Sequence, residues 1–434
     1  MVLRWLLGAA LAATAACSQS LFDNRGPGNG PGPGGDGGID GMVPALCAEP
    51  CLADAGRDFD GTSHGATTRW RYLDDHRDRT WAMMTPSGTP AVMTGADPNN
   101  LITSCTGSAA AACSRLPDAV LVSSAGAAAD ADPAIEFTIP DPTVLQISLR
   151  VFVPGDADQD IRLYRNSRED VLFTGTAHVG ELLEQSVVVD ALAGDRFLVA
   201  VAPTANGAGN VAVQVFASAT GAVFPLHCQL ALGFDGAAGN SLADLCKHAG
   251  FDYFKDDAMP GAITLSPGPY AELGKGLDVA PAGFLRGNQV LDQTHDMTLQ
   301  FWSFQRNQDT VDTAWPFSDL DLNFGGGLGI AFAPGAPPIL DATTSLDPVK
   351  NTYIDATTAF QTQATWQFVR IIHTGDALRV CLNGRQVTNS NVPAGHLKTT
   401  EPPYLGRNVV WTVDAFFDGV LDDVRMLDVA RPCQ

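Results

Sequence analysis

The carboxylates are the first residues to test for chemistry. Hydrolysis of a glycosidic bond takes two of them flanking that bond, about 5 Å apart when configuration is retained, and a Glu-x-Asp-x-Glu strand supplies such a pair. Beyond Phe224 the only glutamates are Glu272 and Glu401, and neither has an acidic residue two positions away. Asp319 and Asp321, in Ser-Asp-Leu-Asp-Leu-Asn, fall on one face of a predicted strand and imitate a pair. Aspartates spaced by two are more often a solvated edge, so they are expected to do no chemistry. No HExxH helix, no Walker loop and no GxGxxG following a strand occurs, and the histidines are scattered. The chain is therefore read as no enzyme.

Binding chemistry is better represented. Asp156, Asp158 and Asp160 alternate as cation ligands can, but Ile161 stands where a calcium loop needs glycine and no glutamate closes the loop, so turn carboxylates are expected. Trp302 and Trp366 lie inside apolar strands and are assigned to the core. Trp315, Tyr404 and Trp411 sit in or beside predicted loops, where an amphipathic ring is useful for recognition, and are the candidate ligand-binding residues. The formal net charge of -22, with no Lys/Arg cluster, excludes nucleic acid as a partner.

Of nine cysteines, Cys17 stands apart. The other eight, Cys47, Cys51, Cys105, Cys113, Cys228, Cys246, Cys381 and Cys433, are an even set suited to disulfides in an oxidising compartment. Cys47 and Cys51 are spaced like half a zinc knuckle, but no second ligand pair lies near. Cys47/Cys51 and Cys105/Cys113 are close enough to close two tight loops.

The elements that position these residues are strands. Residues 1–17 read as a signal segment, with Arg4 ahead of an apolar stretch too short to span a bilayer. Residues 18–41 contain the Gly/Pro tract Arg25–Gly41, which has too few apolar side chains to form a core and is expected to be a disordered tether. Residues 42–220 are β-rich: TRWRYL, TWAMM and AVLVSS come first. From about 130 to 220, IEFTI, VLQISLRVFV, IRLYR, SVVVDAL, RFLVAVA and VAVQVFA alternate with period two, as in an antiparallel sandwich. Residues 221–434 continue with MTLQFWSF, GLGIAFA, WQFVRIIHTGDALRVCLNGRQV and FFDGVLDDVRMLD. HTGD and NGR are the turns that join antiparallel strands. The fold class is all-β, two tandem antiparallel sandwiches.

Three resemblances follow from these residues. Leu11-Ala-Ala-Thr-Ala-Ala-Cys17 resembles a bacterial lipobox, with Thr14 departing from the usual aliphatic residue. It implies lipidation of Cys17 and contact with the membrane through that anchor only, and Ser18 after it implies the outer membrane or cell surface of a Gram-negative bacterium. DADQDIRLYR, AGDRFLVAVAP and VAVQVFA in order resemble the bacterial pre-peptidase C-terminal domain. Leu232-Gly-Phe-Asp235-Gly236, Met297–Trp302, Trp366, Leu382-Asn383-Gly384 and Phe417-Asp-Gly-Val-Leu-Asp422-Asp423-Val-Arg425 resemble the laminin-G-like (concanavalin A-like) jelly-roll superfamily over about 210 residues.

The last resemblance implies a C-terminal jelly roll whose first and last strands are neighbours, bringing Cys228 to Cys433 and leaving Cys246 for Cys381. It implies calcium as a cofactor, with Asp235, Asp422 and Asp423 as the matching ligands. The functional expectation is a non-catalytic surface lipoprotein whose jelly roll binds a glycan or an extracellular protein partner. A structural envelope or matrix protein without a small ligand is the alternative, and a divergent polysaccharide hydrolase on the same scaffold stands third.

Overall fold

The computed structural model describes residues 51–433, interrupted at 60–69, 77–79, 89–90, 127–129, 156, 205–206, 236, 257–258, 271–272, 280–282, 292–295, 307–313, 321–326, 334–338, 346–352, 360–363, 376, 392–398 and 409–415. The signal segment, the tether, Cys17 and Cys47 lie outside the described residues. Among those described there is no α-helix; Ala111–Ser114 forms a short 3-10 turn. No helix is long and apolar enough to cross a membrane.

Period-two alternation becomes four antiparallel sheets. The first has eight strands, in the order Leu182–Ala191, Thr143–Phe152, Gly209–Ala219, Val120–Ser124, Leu101–Ser104, Val92–Thr94 and Thr85–Ser87, with Cys51–Asp54 also on Gly209–Ala219. The second runs Val171–Ala177, Gln159–Arg165, Arg196–Pro203, Ala131–Thr138, Trp70–His76 and Trp81–Met83. The inward residues of both, such as Ile147, Leu149, Val213 and Ile102 from one and Ile161, Val199, Phe137 and Tyr72 from the other, form one core. The strands before residue 130 thus pair into the same two sheets as those after it: their apolar faces are too narrow to close a core of their own.

The third sheet runs Thr264–Pro267, Lys275–Val279, Gly419–Leu427, Met297–Gln305, Trp366–Thr374, Ala377–Leu382 and Arg385–Asn391, with Cys228–Leu232 also on Gly419–Leu427. The fourth runs Ser241–Ala243, Gly250–Asp256, Phe284–Gly287, Tyr404–Leu405, Ala314–Ser318, Leu328–Ala333, Ile339–Ser345 and Tyr353–Ala359, with Met259–Pro260 beside Gly250–Asp256. Leu299, Phe301, Ile371 and Val424 from the third meet Phe251, Leu285, Phe317, Ile330 and Leu405 from the fourth. Each such fully buried side chain contributes about 1.5–3 kcal/mol. The chain turn at Asn383 and Gly384, both at positive φ, is the one that the Asn-Gly pair demands.

First and last strands of the jelly roll are neighbours, Cys228 lying opposite Leu427, yet the disulfides differ from the expected pairing. Cys228 is bonded to Cys246 and Cys381 to Cys433, with Cα separations of 5.8 and 5.9 Å. The reason is local. After Leu232 the chain returns at once, Leu245 N–H donating to the Ala231 carbonyl and the Asp244 carboxylate accepting from Ala231, which sets Cys246 beside Cys228. Cys433 lies six residues past Leu427, and the tail is drawn across the sheet by Arg431 N–H to Thr298 Oγ1 and Arg370 Nη1 to the Pro432 carbonyl. Cys105 and Cys113 are bonded to each other, and Cys51 is disulfide-bonded.

The two sandwiches meet through charge. Pro44–Gln434 forms one compact unit. Arg370 on the third sheet donates to Asp170 at 2.5 Å, Arg425 on the same sheet donates twice to Asp195, at 2.6 and 3.0 Å, and Gln300 joins Asp170 at 3.0 Å. Tyr270 donates to Glu169 and stacks on Trp81 with ring centres 5.3 Å apart. The outward face of the third sheet is therefore largely spent on the first sandwich.

Candidate ligand-binding face and aspartate cluster

With the third sheet's outward face occupied, the outward face of the fourth remains. Strand registers place a row of side chains across it. Asp252 lies opposite Arg286, Arg286 opposite Tyr404, Tyr404 opposite Ser318, and Ser318 opposite Gly329. Their neighbours along each strand, Tyr253, Leu285, Leu405 and Phe317, point the other way into the core, so alternation forces this row outward. Asp252 and Arg286 are exposed. The Arg286 guanidinium lies over the Tyr404 ring, 5.5 Å from its centre.

Aromatic rings extend the row. Phe284 stacks on Phe254 at 5.2 Å and meets Tyr404 at 6.0 Å and Phe416 at 6.4 Å, with Arg407 over Phe284 and Phe416. Burial raises the Tyr404 phenol above its ordinary range, and the Arg286 charge opposes that. Burial alone pulls Arg407 down. Ser318 is fully buried, its hydroxyl bonded to Asn408, so what the face offers is the exposed Arg286 guanidinium and Asp252 carboxylate beside the half-buried rings of Phe254 and Phe416, a combination that can meet a ligand with both CH faces and hydroxyls.

The residues singled out from the sequence are placed as follows. Tyr404 is on this face, 7% exposed. Trp315 is in a strand rather than a loop and also 7% exposed, its ring lying over Gly329 and against Leu320 and Ala331. It fills the space that glycine leaves and is no open platform. Trp411 lies outside the described residues. Trp302 is fully buried, as a core residue should be, and Trp366 half-buried. Phe284, Arg286 and Asp252 were missed because nothing in their local sequence marks them.

Asp319 is buried and its Oδ1 accepts the Leu328 N–H at 2.6 Å, so it ties two strand ends together. Asp321 and Glu272 lie outside the described residues. Asp158 accepts from His178 and the Val179 N–H, and Asp160 from Thr176, across a strand pair. Asp156 is not described. Gly61-Thr62-Ser63-His64-Gly65 has the spacing of a nucleophile elbow; it too lies outside the described residues, and that motif requires a following helix, of which the described residues hold none.

The aspartate cluster sits at the rim of the third sheet. Gly268 N–H donates to the Gly274 carbonyl at 2.9 Å, closing a narrow hairpin. A side chain on Gly268 would collide with Asp422 Oδ2, and one on Gly274 with the Asp235 carboxylate. Both carboxylates thus press on one backbone corner. Asp235 accepts the Lys275 N–H at 2.8 Å. Asp422 is 3% exposed; its Oδ1 accepts the Asp423 N–H and its Oδ2 is buried with no hydrogen-bond partner. Burial, then the neighbouring Asp423 and Asp235 charges, push the Asp422 carboxyl well above the ordinary carboxylate range.

Asp423 faces differently. At φ 45° it sits on a strand irregularity and its Oδ1 is held by Arg425 at 2.7 Å, so its charge is already answered. No group of three or more His, Cys, Asp or Glu side chains able to hold a metal occurs among the described residues. The buried, unpartnered Asp422 oxygen and the glycine corner fit a hard cation held by Asp235 and Asp422, with backbone oxygens for the remaining positions. Asp423 does not fit as a ligand.

Comparison with known proteins follows the fold. No relative matches among the curated proteins. Among solved structures, the chain is similar to domain 4 of an extracellular arabinanase from Geobacillus stearothermophilus in complex with arabinotriose, at 19% identity, covering 47% of this chain and 93% of that one with a TM-score of 0.39. It is similar to a carbohydrate-binding module from Bacillus subtilis at 10% identity, covering 38% and 91% with a TM-score of 0.25. It is similar to a heptameric pentraxin from Limulus polyphemus at 17% identity, covering 35% and 71% with a TM-score of 0.26. The C-terminal half is a concanavalin A-like jelly roll: residues 282–433 match the family model described as the concanavalin A-like lectin/glucanases superfamily.

Proposed function

We propose that this protein is a non-catalytic surface lipoprotein whose jelly roll binds carbohydrate on the outward face of its fourth sheet. The observation that carries the reading is the cross-strand row Asp252–Arg286–Tyr404, flanked by Phe284 and Phe254. Sugars present alternating CH faces and hydroxyls; aromatic edges suit the first, and a guanidinium and a carboxylate suit the second. Arg286 and Asp252 are the exposed members of the row and make the first contact. The reading is binding rather than hydrolysis because the sequence holds no Glu-x-Asp-x-Glu strand to set a carboxylate pair across a scissile bond.

Calcium belongs to the same reading as a structural ion. Asp235 and Asp422 hold it, and it supplies the positive charge that the buried Asp422 oxygen lacks. The anchor is the lipid on Cys17, carried at the outer membrane or cell surface, and the lipobox resemblance is its support.

A glycan array probed with the full chain, with and without calcium, tests the function. Binding should survive Trp315→Phe and fall by at least about tenfold, about 1.4 kcal/mol, in Arg286→Ala and Tyr404→Ala. An array with no bound glycan under either condition, or variants that bind as well as wild type, would sink the reading.

A further inference from the structure

Among the described residues eight strands end the four sheet orders, and seven of them are short, interrupted or charged. Thr85–Ser87, Trp81–Met83 and Ser241–Ala243 have three residues each, and the first contains Pro86. Thr264–Pro267 has four and ends in proline. Val171–Ala177 and Arg385–Asn391 pair with a register shift. Tyr353–Ala359 carries Asp355 within it. These are the devices that keep a sheet from adding a foreign strand.

Leu182–Ala191 is neither short nor interrupted. It is ten residues long, pairs with Thr143–Phe152 in an unbroken ten-pair register, contains no proline, lysine or arginine, and has no other strand beside it among the described residues. Its one mid-strand charge, Glu184, is met by Arg150 of the adjacent strand at 2.7 Å. Leu183 and Val187 pack against the core of the first sandwich yet remain half-buried, as does Phe173 on the neighbouring margin of the second sheet. Val188, on the outward face, is 41% exposed. Among the described residues no strand covers the core here.

The geometry points to a second copy of this chain as the cover, its own Leu182–Ala191 strand pairing antiparallel about a two-fold axis at Gln185. The order Leu182-Leu183-Glu184-Gln185-Ser186-Val187-Val188 is apolar, apolar, polar, polar, polar, apolar, apolar, and so is complementary to itself when reversed. In that register Leu183 meets the second copy's Val187 on the core side and Leu182 meets its Val188 outside. Glu184 faces Ser186 and Gln185 faces Gln185. Alternation is kept, both half-covered cores are finished, and no like charges oppose each other, which matters between two chains of net charge -22. An isologous contact of this kind closes at two copies.

Sedimentation velocity on the full chain tests it, with three substitutions. Wild type should be a dimer. Gln185→Lys sets like charges face to face on the axis and should weaken association several-fold. Ser186→Lys sets a lysine opposite Glu184 twice per dimer and should tighten it. Gln185→Cys should cross-link two copies under oxidation, while Val188→Cys, which faces Leu182, should not. A monomeric wild type overturns the proposal. So does a dimer that ignores both lysine variants and does not cross-link at 185, because association then uses another surface. Neither result bears on glycan binding, whose face lies in the other sandwich.

Discussion

Asp170 is where the two sandwiches are most directly joined, and replacing it with asparagine has a worked consequence. Its carboxylate is 1% exposed and accepts from Arg165 at 2.7 Å within its own sandwich, and from Arg370 at 2.5 Å and Gln300 at 3.0 Å across the junction. Burial by itself would raise its pKa, yet the charges of Arg165, Arg370 and Arg425 outweigh that and bring it from an ordinary 3.8 to about 2. That difference is worth about 2 kcal/mol of folding stability. Because the folded value lies below the unfolded one, the contribution is complete above the ordinary carboxylate range and is lost as pH falls toward 2. Burial also pulls Arg370 below its usual range, Asp170 opposing it, so the pair is stabilising only while both charges are present.

Guanidinium denaturation of wild type and Asp170→Asn across pH 2 to 7 reads this out. At neutral pH the variant should be destabilised by about 2 kcal/mol, and by about 3–5 kcal/mol in Asp170→Ala, which strands two buried guanidinium groups. The gap between wild type and the asparagine variant should narrow toward pH 2, where the wild-type carboxylate is itself about half protonated. A loss below about 0.5 kcal/mol, the size of an ordinary surface change, would refute the reasoning. So would a gap that stays constant over the acid range.

Asp422 should behave with the opposite sign. Its folded pKa is raised, so in the presence of a chelator stability should decline as pH rises from the ordinary carboxylate range upward; added calcium should cancel that decline in wild type and do nothing in Asp422→Asn, measured by thermal unfolding. Cys433→Ser opens a 52-residue loop, which by loop-closure entropy is worth about 4 kcal/mol, and it frees the tail whose Pro432 carbonyl meets Arg370. Chemical denaturation should show a loss of that order, and an unchanged midpoint would mean that the tail is held by its hydrogen bonds alone.

Some of this could be read along the chain because it depends on near neighbours. Met297–Gln305, Trp366–Thr374 and Arg196–Pro203 are strands because their apolar residues recur at a period only a sheet can bury. Asn383-Gly384 turns the chain because both residues accept positive φ. Trp302 could be assigned to the interior from its apolar strand, although the rings that bury it, Tyr270 and Phe368, come from elsewhere in the chain. The aspartates at 235 and 422 could be picked out only through resemblance, and the exclusion of Asp423 required seeing Arg425 fold back on it.

Alternation and turn chemistry are properties of a few consecutive residues, so the sequence by itself determined an all-β chain, where its strands run and which side chains turn inward. Pairing is a property of the whole. Asp252, Arg286, Tyr404 and Ser318 come together only because strands far apart in sequence lie side by side in one register. The same holds for Cys381 with Cys433, where a hydrogen-bonded tail sets the partner, and for Asp170 with Arg370, which span two sandwiches. Which strand neighbours which is decided by the free energy of closing a complete core, and no stretch of sequence short enough to read alone contains that sum.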